Sequence, residues 1–148
     1  MYSSLTTENV MLTPEGGIAV RMFNNTGSSS VKGSVVKPDF THDDSFSLSG
    51  EDSAISIGVV YEDGVPQGAP CFVVVSGKAH VLMKDGEPSV RGYWVSTSDV
   101  EGRANAGGEG HPGTNPPAQA EHNKEIGHCI ESVAAGADKL SLCVLHFN

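Results

Sequence analysis

The sequence predicts an all-β protein, a small Gly-rich β-barrel or β-sandwich-like module. Three observations predict it. Ile57 to Val95 is a run of short apolar segments broken by Gly, Pro and Asp-Gly. The 148 residues include 18 glycines and 8 prolines, with only 18% charged residues. That mix suits many strands and turns better than a helical bundle. Ile18, Val20 and Met22 alternate with period two, the spacing that puts side chains on one face of a strand.

The elements follow in order. Met1 to Gly17 reads as an N-terminal arm, polar with scattered apolar residues and closed by Pro14-Glu15-Gly16-Gly17. The remainder, 18–148, reads as a single β-domain. Ile18 to Phe23 is a strand, and Asn24 to Ser30 is a loop by composition. Val31 to Lys37 is a strand ended by Pro38. Asp39 to Ser53 is polar and acidic and reads as a surface excursion. Ile55 to Tyr61 is a strand turned by Glu62-Asp63-Gly64. Cys71 to Val75 and Ala79 to Met83 read as two strands joined through Ser76-Gly77-Lys78. Asp85-Gly86 is a turn signal, and Tyr93 to Thr97 is a further strand. Gly102 to Pro117, rich in Gly, Asn and Pro, reads as a long projecting loop. From Ala120 to Gly136 both helix and strand fit, since Ile126, Ile130 and Val133 lie near one helical face. Gly127 and the alternating segment from Leu140 to Phe147 favour a strand, a turn and a closing strand. Glycine at many strand ends fits tight bends in a small barrel.

Bulk properties narrow the function classes. A chain of this length buries roughly 70% of its unfolded surface, so the fold requires neither disulfide nor metal. The formal net charge is −9, which disfavours direct binding of nucleic acid, a task for Lys and Arg. No segment has the apolar length of a membrane span, and the N-terminus lacks the basic and apolar regions of a signal peptide. Cys71, Cys129 and Cys143 lie in apolar contexts, as expected of buried free thiols in a reducing compartment. Asn24-Asn25-Thr26 matches a glycosylation sequon.

Several constellations have the residue types of a reactive site. His128-Cys129 with Cys143 and His146 suits zinc. On strands, however, adjacent residues point to opposite faces, so the four ligands diverge. The expectation is two buried thiols on one face and two histidines on the other, and such a histidine pair is suited to tuning an interface with pH. His42-Asp43-Asp44-Ser45 has the residues of a hydrolase triad, but near neighbours rarely reach triad geometry. Its acidic residues lack calcium-loop spacing. Ser76-Gly77-Lys78 lacks the upstream glycines of a phosphate loop. Cys71, followed by four apolar residues, reads as core rather than nucleophile, and Trp94 with Tyr93 reads as core plus surface rather than a sugar platform. Gly77 is expected to need a positive φ or a close backbone approach. No catalytic residue, metal or cofactor is assigned.

The ordered set resembles a known family. The segments GGIAVRMFNNTGSSSVKGSVV, IGVVYEDGVPQGAPCFVVVSGKAHVLM, RGYWVSTSDVEGRA and IGHCIESVAAGADKLSLCVLHFN, spanning Gly16 to Asn148, resemble small capsid decoration, or cement, proteins of tailed phages. The resemblance implies an all-β module, a homotrimer, made in the host cytoplasm and seated on the exterior of an icosahedral head. It implies the major capsid protein as partner and stabilisation of the shell as function. In that reading Tyr2, Leu5, Val10, Met11 and Leu12 of the arm anchor the capsid by ordering on binding, the alternative being a frayed terminus. Core and strand-junction positions are Cys71, Gly77, Trp94, Cys129 and Cys143. The loop from Gly107 to His122 departs from the family pattern. A fibre or baseplate module binding a host-surface glycan through the Gly102–Pro117 loop and Trp94 is the alternative function.

Overall fold

The structure is a computed structural model that describes residues 8–51, 53–106 and 125–147. Among these residues there is no helix. Ten strands form one mixed sheet: β1 (Val10–Leu12), β2 (Gly17–Asn24), β3 (Val35–Pro38), β4 (Ser45–Leu48), β5 (Gly58–Val60), β6 (Pro70–Leu82), β7 (Trp94–Thr97), β8 (Ala104–Ala106), β9 (Glu125–Cys129) and β10 (Leu140–Leu145). The all-β class is as expected. The choice between barrel and sandwich resolves into a single sheet that is not a clean barrel.

Its order is β1-β2-β4-β3-β5-β6-β10-β9-β7-β8, with β2 also paired to β6. That extra pairing closes β2, β4, β3, β5 and β6 into a ring. The strands β10, β9, β7 and β8 continue from β6 as a wing. An isolated bridge from Met83 to Ala104 brings the end of β6 back to β8.

Three of the ring strands, β3, β5 and β6, bury both faces. One face of the ring contributes Val36, Phe46, Val60, Cys71 and Val73 to an apolar cluster. The other contributes Ala19, Val35, Val59 and Val74 to a larger cluster, shared with Val81, Val95, Ile126 and Cys143 of the other strands and of β6 beyond the ring. Adjacent residues of one strand therefore serve two clusters. This accounts for the doublets Val35-Val36, Val59-Val60 and Val73-Val74, which an alternating half-exposed strand would not show.

Several expectations change. The two strands expected at Cys71–Val75 and Ala79–Met83 are one continuous strand, which ends at Leu82. Gly77, at φ +85°, bends β6 without reversing it. The first half of β6 pairs with β2 and β5, and the second half with β10. The expected close approach is present. A Cβ on Gly77 would stand 2.5 Å from the backbone oxygen of Gly16.

Within the region read as an arm, Val10–Leu12 is a strand, with Val10 opposite Val20 and Leu12 opposite Ile18. Met11 packs against the larger cluster, and the buried Thr13 hydroxyl accepts from Gly17 N at 2.8 Å. Tyr2 and Leu5 lie outside the described residues. The acidic excursion contains β4, whose Phe46 is fully buried and whose Leu48 packs on the same cluster, and which pairs with both β3 and β2. The predicted 102–117 loop begins with strand β8, because Ala104 is small enough to be fully buried beside β7. Residues 107–117 lie outside the described residues.

In β2 the shared face of Ile18, Val20 and Met22 is not the main core face. Alternation puts Ala19 in the core and leaves Ile18 exposed, and the bulge opposite them lies in β6, where Val75 is passed over in the pairing. The segment expected at Val31 to Lys37 narrows to β3. Gly33, at φ +89°, breaks the extended run, and a Cβ there would lie 2.7 Å from Leu82 N. From Glu125 on, the ambiguous C-terminal segment is strand β9 and a turn region, followed by strand β10; residues 120–124 lie outside the described residues.

Candidate functional site

The antiparallel register of β9 and β10 sets the geometry of the strongest sequence candidate. Cys143 lies opposite Cys129, and Val144 opposite His128. Alternation then separates the two chemistries as expected. Cys129 and Cys143 are buried, with their sulfurs 4.0 Å apart. The hydrogen bond to Cys129 holds the Cys143 thiol well above its ordinary range, and burial adds in the same direction. On the opposite face His128 Nδ1 and His146 Nε2 lie 2.9 Å apart, with ring centroids at 5.0 Å.

A third residue joins the histidines. Glu125, the first residue of β9, has a side chain only 5% exposed, and its Oε1 lies 3.4 Å from His146 Nε2 and 3.6 Å from His128 Nε2. A register irregularity between Val95 and Ser96, opposite Glu125, accompanies the burial of both Glu125 and Ile126. Sequence reasoning missed Glu125. Its three-residue spacing from His128 gave no signal, since a regular strand would place the two on opposite faces. Gly127 fits between the strands because a Cβ there would strike the Val144 carbonyl oxygen.

The other candidates are structural. Cys71 is fully buried, and burial pushes its thiol up to about 11. A thiol so shifted is a poor nucleophile near neutral pH. Trp94 is 3% exposed and offers no face to a sugar. In the 42–45 stretch His42 turns to Asp39 rather than to Asp43. Asp39 Oδ2 accepts from Thr41 Oγ1 at 2.8 Å and from His42 N at 2.8 Å, and lies 3.3 Å from His42 Nδ1. The Thr41 hydroxyl first, with further help from Asn25 and His42, holds the Asp39 carboxyl well below the usual carboxylate range. Ser45 Oγ donates to Asp43 O and makes no triad. A cavity of about 390 Å³ opens here between Phe23, Asn25, His42 and Gln67. The sequon residue Asn24 is fully buried. Its Nδ2 donates to Ser28 O and Val65 O, and its Oδ1 accepts from Thr26 N and Oγ1. The sequon is a turn device whose acceptor amide is sealed in the fold.

No family model and no curated protein matches the chain. Among solved structures the chain is similar to the N base of the head fibre gp8.5 of bacteriophage phi29. The TM-score is 0.58 at 14% sequence identity, over 86% of this chain and 92% of that one. The likeness is one of fold. It spans nearly the whole of both chains, so ring and wing together form the comparable unit.

Proposed function

We propose that this chain is a structural protein of a tailed-phage virion, a β-module seated on the exterior of the icosahedral head that stabilises the shell. The observation that carries this reading is the fold likeness to a head-fibre base over 86% of the chain. The ordered motifs that resemble decoration proteins point the same way. In this reading the protein is not an enzyme, its partner is the major capsid protein, and it acts as a homotrimer. Threefold repetition multiplies weak contacts, and linked contacts of this kind raise effective affinity by roughly 10²–10⁴.

The binding surface fits the β1 side of the sheet. β1 stands at one end of the strand order, and Val10, Leu12 and Ile18 are exposed there. A capsid segment laid along that side would cover these side chains and extend the sheet, the mode of strand addition. Residues 1–7 precede this strand, so Tyr2 and Leu5 would extend the same contact. The neighbour's identity as a fibre base favours a second reading, in which the module is the capsid-proximal base of a longer appendage. A glycan-binding role through Trp94 loses its platform, since that ring is buried.

Co-sedimentation with purified heads that lack the protein tests the proposal. Saturable pelleting with heads, and a trimer by light scattering, are expected. A monomer that stays in the supernatant would overturn it.

A further inference from the structure

We propose that Glu125, His128 and His146 form a binding site for one divalent transition-metal ion of the zinc class. The inference stands apart from the virion role, because it rests only on the geometry of the β9–β10 hairpin.

The three side chains are held by paired backbone. Glu125 and His128 belong to β9. His146 directly follows β10, and its N–H donates to Ile126 O at 3.0 Å. One ligand atom from each residue falls within 4.8 Å of the others. The two closest separations meet at His146 Nε2, which lies 2.9 Å from His128 Nδ1 and 3.4 Å from Glu125 Oε1. Around an ion bonded at about 2.0–2.1 Å, neighbouring ligands stand roughly 2.8–3.4 Å apart in octahedral or tetrahedral geometry. These two edges of the coordination polyhedron therefore already exist.

Ligand chemistry selects the ion. Two imidazoles with one carboxylate suit zinc, nickel or copper, whereas calcium and magnesium take oxygen ligands. The exposures suit capture from solution. Glu125 is 5% exposed and supplies a negative charge from below, while the imidazoles are 45% and 47% exposed. Three protein ligands leave at least one position for water or a further donor. At 2.9 Å one neutral imidazole donates its N–H to the other. Both facing nitrogens must present lone pairs to an ion, so the donor ring carries its proton on its far nitrogen when the ion binds. Cys129 and Cys143 face the other way and take no part.

The ion would tie the start of β9 to the end of β10. Such a site exists only in the folded chain, so binding raises its melting temperature.

The test uses untagged, chelator-treated, full-length protein titrated with zinc chloride by calorimetry. One ion per chain is expected, with a rise in melting temperature that excess chelator reverses. His146→Ala and His128→Ala should each weaken binding about tenfold or more. Glu125→Gln, which keeps the shape and removes the charge, should weaken it as well. His80→Ala, outside the cluster, should leave affinity unchanged. Cobalt(II) titration of the unaltered protein guards against variants that fail to fold: weak visible bands without intense near-ultraviolet thiolate absorption are expected. No saturable zinc binding, binding untouched by His146→Ala, or a thiolate spectrum would each overturn the proposal.

Discussion

Ring and wing bury different things. In the ring, Phe46, Val36, Val60, Cys71 and Val73 pack together, and the buried polar groups Asn24, Ser34, Ser45 and Ser49 sit at or just beyond strand ends. There they fasten turns, as Asn24 does. In the wing, buried polar groups occur inside strands: Ser96 in β7 and Ser141 in β10, with the ionisable Glu125 opening β9. Ser141 Oγ donates to Ser89 Oγ at 2.8 Å, and Ser89 Oγ also lies within reach of Glu131 O at 3.3 Å. The ring is therefore a scaffold held by packing. The wing couples its packing to a polar network and carries the cluster of Glu125, His128 and His146. A burial term dominates the first, and hydrogen-bond satisfaction adds a second term in the other.

Substitutions break this comparison in order of expected effect. Phe46→Ala leaves a phenyl-sized hole among ring residues that bury both faces, and should cost about 4 kcal/mol. Chemical denaturation measures it. Gly77→Val tests the hinge between ring and wing. A β-branched residue at φ +85° against the Gly16 oxygen should cost about 3 kcal/mol from backbone strain and overpacking together. Normal melting of that variant would mean that β6 does not need its bend. Ser141→Ala probes the wing and should cost about 1 kcal/mol. A loss as large as that of Phe46→Ala would show that the polar network, not packing, holds the wing. Arg103 donates to Asp85 at 2.8 Å and to Asp138 at 2.7 Å on the surface. Arg103→Ala should cost under about 1 kcal/mol, and less at high salt.

The smallest effect is pH-linked and belongs to the ring side. The Asp39 carboxyl is depressed in the folded protein, chiefly by the Thr41 hydroxyl. Its contribution is fully present above the ordinary unfolded carboxylate range, near pH 4, and is lost as pH falls below it. Denaturation midpoints between neutral and acid pH should fall less steeply in Asp39→Asn than in the unaltered chain. Parallel curves would remove Asp39 from the account.

What the residues revealed follows the same division. The apolar segments bounded by turn residues announced the strands β5 and β6, and Gly77 announced its close backbone approach, because both are local. The divergence of thiols and histidines on β9 and β10 followed from alternation alone. Three features were not legible. β4 forms a hairpin with β3 across the polar stretch 39–44 and also pairs in parallel with β2; its four residues carry only Phe46 and Leu48 as apolar signals. The unbroken course of β6 depends on pairing with β2 on one half and β10 on the other, and both lie far away in sequence. Glu125 joins the histidines beside an irregular β7–β9 register, and no periodicity predicts such a departure. The course of β6 and the place of Glu125 depend on long-range pairing rather than on a local preference.

Cryo-electron microscopy of phage heads assembled without the protein and then incubated with it addresses the head-bound role most directly. The account predicts added density on the outer surface, arranged in threefold groups, into which ring and wing fit with the β1 side against the shell. Incubated heads indistinguishable from bare ones would contradict it.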